Sequence, residues 1–201
     1  MKKLLFVNCC LRGEASRTLL LCREYLTGFA QRMSEKGEAW TIEELNLAEE
    51  DILVQDAVLA EKSARLIRQK KFDDPMFQYA NQLIAADQIL IGAPYWDLDF
   101  PAKLKIYLER CSVSGLTFLY DRDGTPHGQC RAERVVYITT AGGTIGKLNF
   151  GFEYVKGLFQ NLLGVEQAEF IAAEALDIIG NDVDAILKET KERIKQSLAN
   201  L

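Results

Sequence analysis

The residues best equipped for chemistry stand in one run, Ile89-Leu90-Ile91-Gly92-Ala93-Pro94-Tyr95-Trp96-Asp97-Leu98-Asp99-Phe100-Pro101. Ile89 to Ile91 reads as a buried strand that stops at Gly92-Ala93-Pro94. Pro94 and Pro101 each fix φ at about −65° and remove an N–H, which stiffens both ends of the loop between them. Tyr95 and Trp96 then present flat faces from a held backbone, with the carboxylates Asp97 and Asp99 beside them. Such a loop can wall a planar ligand. A hydrophobic loop packed on the next helix would use the same residue types, so the run has to be weighed with its neighbours.

Two other stretches end alike. The first strand, Lys3 to Asn8, runs into Cys9 to Thr18, where Ser16-Arg17-Thr18 opens a helix. Ser16 suits the N-cap. A helix N-terminus favours an anion through its free N–H groups and its dipole, and Arg12 and Arg17 add positive charge. A buried strand, Arg134 to Thr140, ends in Thr140-Ala141-Gly142-Gly143, where glycines let backbone approach a ligand. An ordinary capped helix and a plain turn are the structural alternatives for these two loops.

Placing the loops requires the elements around them. Helical spacing follows Ser16 through Leu19, Cys22, Leu26, Phe29 and Met33. Trp40 to Leu47 alternates as a strand. A charged helix is expected over Ala57 to Lys71, another over Met76 to Ala86, and a third from Pro101 to Cys111. Leu116 to Tyr120 with the turn Asp121-Arg122-Asp123-Gly124 reads as a hairpin or flap. A helix over Phe150 to Leu163, a strand over Val165 to Ala172 and a terminal helix carrying Val183 to Leu198 complete the chain. Five alternations of strand and helix predict an α/β fold, a single domain over 1–201, with a parallel sheet covered on both faces. The expected order is 2-1-3-4-5, which brings the loops after strands one, three and four to one edge. Phosphate cradle, aromatic wall and close-approach glycines, in that order, describe a site for flavin mononucleotide (FMN).

Bulk properties narrow the field. The chain has 201 residues and a net charge of −5, which argues against nucleic acid. No run approaches the roughly 20 apolar residues of a membrane helix. Five cysteines at irregular spacing read as reduced thiols and a cytoplasmic protein. One histidine, His127, and no CxxC pair leave no zinc site and no histidine-paired nucleophile away from His127.

On these motifs the chain resembles the flavodoxin-like NAD(P)H:quinone oxidoreductases, and most the FMN-dependent azoreductases among them. The likeness runs along nearly the whole length. It is carried by Ser16-Arg17-Thr18, Ala93 to Leu98, Pro101-Ala102-Lys103-Leu104-Lys105, Ser114-Gly115-Leu116-Thr117-Phe118 and Thr140 to Gly143. The resemblance implies a flavodoxin-like fold, FMN as cofactor and two-electron ping-pong transfer from NADH or NADPH to a quinone or azo compound. The hydride would be carried by flavin N5, so no catalytic side chain is required. The implied FMN contacts are Cys10, Ser16, Arg17, Thr18, Pro94, Tyr95, Trp96, Asp97, Leu98, Thr140, Ala141, Gly142 and Gly143. Trp96, Phe118 and Tyr120 would line the substrate pocket, the last two reaching a neighbouring subunit's flavin in a homodimer. Surplus apolar residues on the helices Pro101–Cys111 and Phe150–Leu163 agree with a partner. Cys9, Cys10, Asp97, Asp99 and Ala141 depart from the family pattern. A non-enzymatic electron carrier or flavin-binding regulator of the same fold is the rival class, and the length of the 116–133 insert favours the enzyme.

Overall fold

The structure, a computed structural model, describes residues 1–201. Its centre is a five-stranded parallel sheet. β1 (Lys2–Asn8), β2 (Trp40–Asn46), β3 (Gln88–Gly92), β6 (Arg134–Thr140) and β7 (Gln167–Ala173) lie in the order β2-β1-β3-β6-β7. The expected topology holds, with a two-stranded antiparallel hairpin, β4 (Phe118–Tyr120) and β5 (Pro126–Gly128), inserted between the third and fourth sheet strands.

Alternation along the strands builds two cores. Leu5, Val7, Ile89, Ile91, Val135 and Tyr137 face α3 (Gln78–Ile84), α4 (Ala102–Cys111) and α5 (Phe150–Leu158). Leu4, Phe6, Leu90, Val136 and Ile138 face α1 (Arg17–Glu35) and α6 (Val183–Ala199). Both faces of the sheet are covered, as a parallel sheet requires.

Several boundaries shift for local reasons. α2 runs only Ala57–Arg68, because Lys70 adopts φ 54° and turns the chain out of the helix. Pro75–Phe77 is a 3₁₀ turn, so α3 starts at Gln78 rather than Met76. The expected helix Phe150–Leu163 divides into α5 and a π-turn over Phe159–Leu163, closed by Gly164 at φ 81°.

The apolar residues of α4 correct a sequence expectation. Leu104, Tyr107, Leu108 and Cys111 are all buried in this chain's own core, so α4 carries no surplus face. In the following segment Phe152, Phe159 and Leu163 also point inward, while Phe150 and Tyr154 stay exposed. The hairpin is docked, not free. Gly128 of β5 sits on the backbone of Leu163, where a Cβ would fall 1.8 Å from the Leu163 carbonyl carbon.

Candidate functional site

Four loops meet at the carboxyl edge of the sheet. The first follows β1. The Asn8 side chain donates to Glu44 at 2.7 Å and accepts from the Cys10 N–H at 2.9 Å, which bends the chain out of the strand. Ser16 then caps α1, its hydroxyl accepting from the Leu19 N–H at 3.2 Å. That leaves the N–H groups of Arg17 and Thr18 without protein acceptors at the positive end of a 19-residue helix. The Thr18 hydroxyl is buried and shares a 2.7 Å hydrogen bond with that of Thr140. This loop can therefore offer an anion its free backbone N–H groups and its arginines, together with the Ser16 O–H, which the cap bond does not use.

Cys10 lies beneath the cradle. It is 1% exposed, and its thiol lies 3.7 Å from the Gly92 carbonyl. A hydrogen bond from Cys22 draws the Cys10 thiol pKa down, with Ser16 helping, against the effect of burial. Burial holds the fully enclosed Cys22 well up. Cys9 points into the other core, and its burial raises it to about 12.

The second loop follows β3. Trp96 and Asp99 exchange two backbone hydrogen bonds of 2.9 Å. Asp97 and Leu98 between them have φ 52° and 68°. This is a type I′ turn built without glycine, and it leaves the Asp97 and Leu98 N–H groups free of protein acceptors. The Tyr95 N–H donates to the Thr140 carbonyl at 3.0 Å, and its hydroxyl donates to the Leu148 carbonyl at 2.9 Å.

The third loop follows β6. The Ala141 N–H is used by Ala173, at 2.9 Å, whereas the N–H groups of Gly142 and Gly143 have no protein acceptor. The fourth loop, after β7, holds the third. Leu176 donates to Ala141 at 3.1 Å, Asp177 to Gly142 at 2.9 Å and Ala175 to Gly143 at 2.9 Å. The Asp177 carboxylate also packs on Gly142, where a Cβ would lie 2.5 Å from Oδ2.

These loops enclose a cavity of about 570 Å³. Of the residues expected at the site, Ser16, Arg17, Thr18, Pro94, Tyr95, Trp96, Thr140, Ala141 and Gly142 line it. Asp97, Leu98 and Gly143 stand beside it, and Cys10 lies below. Phe118 and Tyr120 do not line it; they stack edge to face on each other in the hairpin, 5.4 Å between ring centres. Leu11, Ala15, Leu176 and Asp177 are lining residues that the sequence reading did not name, and Arg12 joins Arg17 there. Ala15 and Leu11 follow from position beside Ser16. For Leu176 and Asp177 no local signal exists.

An open α/β sheet with free amides and an aromatic wall at its switch point defines a nucleotide-binding protein of the doubly wound class. More narrowly, residues 2–198 match the family described by a flavodoxin-like fold, Flavodoxin_2, and the chain belongs to that family. It is 33% identical over 196 residues to an FMN-dependent NADH:quinone oxidoreductase of Lachnoclostridium phytofermentans, covering 96% of each chain. It is 37% identical over 129 residues to FMN-dependent NADH:quinone oxidoreductase 2 of Clostridium acetobutylicum, a stretch spanning 62% of this chain and 64% of that one. Among solved structures, the azoreductase of Bacillus anthracis str. Sterne superposes with a TM-score of 0.87 at 20% identity, over the full length of both chains. A FMN-dependent NADH-azoreductase from Bacillus anthracis str. Ames Ancestor, in complex with FMN, gives 0.84 at 19% identity. At these identities the structural matches speak to the fold.

Proposed function

We infer that this chain is an FMN-dependent NADH:quinone oxidoreductase that also reduces azo compounds, in two half-reactions through one site. The observation that carries this reading is the set of unpaired backbone N–H groups at one cavity: those of Arg17, Thr18 and Gly142 in its lining, and those of Asp97, Leu98 and Gly143 on residues next to the lining ones. Those of Arg17 and Thr18 suit a phosphomonoester at a helix N-terminus. The others suit the polar edges of a planar ring. FMN, when bound, supplies the group that accepts hydride and passes two electrons on.

The chain's own residues bind and orient. Tyr95 and Trp96 wall the cavity, and Trp96 is half exposed at its mouth, where a nicotinamide or a quinone would enter in turn. The Gly142 and Gly143 amides act as fixed dipoles toward negative charge on the ring. No acid or base side chain is needed. The five cysteines are free, which favours a reducing compartment, the cytoplasm. No helix is long and apolar enough to cross a membrane.

A homodimer follows from the exposed surface beside the cavity. Trp96, Leu98, Leu148, Phe150 and Tyr154 are all exposed, and the Tyr95–Leu148 and Phe100–Tyr154 contacts make them neighbours. Two-fold pairing of that patch is the default for a soluble homo-oligomer. Phe150→Asp is the variant that tests it, because the inward Phe159 would unfold the chain rather than split a dimer.

The activity is tested by colour and turnover. The purified protein should be yellow, bleach with NADH in the absence of oxygen and regain its colour with a quinone. FMN binding should quench a tryptophan emission that Trp96→Phe abolishes, since Trp40 is packed against Phe29 at 5.1 Å, away from the cavity. A colourless protein that binds no flavin would refute the reading.

A further inference from the structure

We propose that Asp177 is a positioning residue for phosphate recognition: it fixes Arg17 at the anion end of the cavity. The inference rests on the FMN reading above and adds a residue to it. Asp177 is the anchored member of the pair. Its N–H is bonded to the Gly142 carbonyl, the residues on either side of Gly142 are bonded to Leu176 and Ala175, and its carboxylate lies against the Gly142 Cα. Arg17 is the member with many rotamers, the first residue of α1 with a long, half-exposed side chain. One guanidinium nitrogen, Nη1, donates to Asp177 Oδ1 at 2.8 Å. A guanidinium has five N–H donors in a planar fork, so a single contact leaves the rest of the fork free for another anion.

The ion pair is badly placed to stabilise the fold. Its side chains are 44% and 69% exposed, and pairs of that kind contribute little. Its position is informative instead. It joins two loops that share one cavity, from sequence positions 160 residues apart. Ordering a flexible side chain before binding removes that cost from the binding step, which corresponds to about three- to tenfold in affinity.

Asp177 also carries a negative charge near the phosphate, which opposes binding. Salt separates the two effects. At ~0.5 M ionic strength the Debye length is about 4 Å, so repulsion between Asp177 and a phosphate beyond that distance is screened more strongly than the 2.8 Å contact that orients Arg17.

The test follows release of flavin from the holoprotein after dilution, by the return of flavin fluorescence, in ~0.5 M salt. Protein loaded with FMN is compared with protein exchanged into riboflavin, which lacks the phosphate. Asp177→Ala should release FMN about three- to tenfold faster and riboflavin at the wild-type rate. Asp177→Asn, which keeps an acceptor oxygen, should fall between. The double variant Arg17→Gln/Asp177→Ala should be no faster than Arg17→Gln alone. Equal acceleration for both flavins would overturn the proposal, because it would mean that Asp177 only props the Gly142 loop. Additive effects of the two substitutions would overturn it too. Wild-type protein that holds FMN and riboflavin equally would sink phosphate recognition while leaving flavin binding intact. Wild-type protein that holds neither would remove the functional reading itself.

Discussion

The loop from Ala93 to Pro101 and the loop from Thr140 to Gly143 border one cavity, but they are held in different ways. The tip of the first, Trp96 to Asp99, is closed within itself, while its stem is tied through Tyr95 to Thr140 and Leu148. Trp96 and Asp99 bond to each other, Asp97 and Leu98 take the left-handed turn between them, and a proline stands at each end. The second has almost no internal structure. Its shape comes from Ala175, Leu176 and Asp177, which lie more than thirty residues further on, and from Thr18 at the start of α1. The tip of the first loop should therefore tolerate distant change and answer to local change. The second should do the opposite.

The largest expected effect comes from Gly142→Ala. A methyl group there would stand 2.5 Å from Asp177 Oδ2, so either the clasp or the loop must move. The nearest atom is the tip of a 69% exposed side chain, with the Asp177 Cβ 3.2 Å behind it, so the cost should sit at the low end of overpacking, about 1 kcal/mol, and appear mostly as weaker flavin binding, because both loops are at the site. Removing the obstacle in Gly142→Ala/Asp177→Gly should return part of the loss. Gly143→Ala has nothing within 4 Å and should leave folding stability unchanged. Isothermal titration with FMN and a denaturant curve for each variant would decide; wild-type affinity in Gly142→Ala would break the claim that the second loop depends on the fourth.

Thr18→Val probes the same dependence from the other side. It removes the 2.7 Å bond to the Thr140 hydroxyl while keeping shape. A part-buried hydrogen bond of this kind is worth about 1 kcal/mol. Thr18→Val/Thr140→Val should lose no more than the single change, since the partly buried Thr140 hydroxyl is then not left without its partner. Chemical denaturation measures both. A double variant much worse than the single one would mean that the hydroxyls act separately.

For the self-contained tip of the first loop, Leu98→Gly should be stabilising. Holding a leucine in the left-handed region costs roughly 1–2 kcal/mol, and the entropy glycine loses on folding returns roughly 0.5–1 of that. Leu98 is 44% exposed in the single chain, so the gain is expected for the monomer and is measured at concentrations where the proposed dimer, whose patch includes Leu98, is dissociated. The unfolding free energy should rise by a fraction of a kcal/mol, seen as a higher denaturation midpoint at unchanged slope. A fall would show that Leu98 packs on something that its exposure does not reveal.

The same contrast explains what could be read from the sequence. The sheet was legible because Ile89 to Ile91 and Val135 to Ile138 are apolar runs bounded by Gly and Pro, and parallel strands buried on both faces look like that. Ser16 was legible as a cap because capping is local, and the structure puts its hydroxyl on the Leu19 N–H. The type I′ turn was not, since Asp97-Leu98 lacks the glycine that normally marks one. Gly142 reads from the sequence as a place where backbone can come close to a ligand; the structure adds a second demand on it, since the space a side chain would need is taken by Asp177. Nothing near Asp177 announces that contact; it exists only once β6 and β7 are adjacent. Helix faces failed similarly. Phe159 and Phe150 sit on one apolar segment, and only the packed sheet decides that the first turns inward and the second outward.

The smallest effect expected is the one that separates charge from shape in the first loop. Asp97→Asn keeps a residue that accepts the left-handed region, so stability should move by less than about 0.5 kcal/mol. What changes is a carboxylate beside the ring end of the cavity. Asp97 is exposed, so its field reaches the ring through water and salt. One charge about 7 Å away in water amounts to roughly 0.6 kcal/mol before screening. For a two-electron couple that is on the order of 10 mV, and the sign is fixed: removing a negative charge favours the reduced, more negative ring, so the midpoint potential of bound FMN should rise. A dye-equilibrated reductive titration resolves that. A rise of about 60 mV or more would mean that the carboxylate is aimed into a dry site and that the turn projects it inward. A fall would mean that the neutral amide makes a contact with the oxidised ring that the carboxylate does not. A small rise at constant stability is what a rigid, self-contained turn with a solvated charge requires.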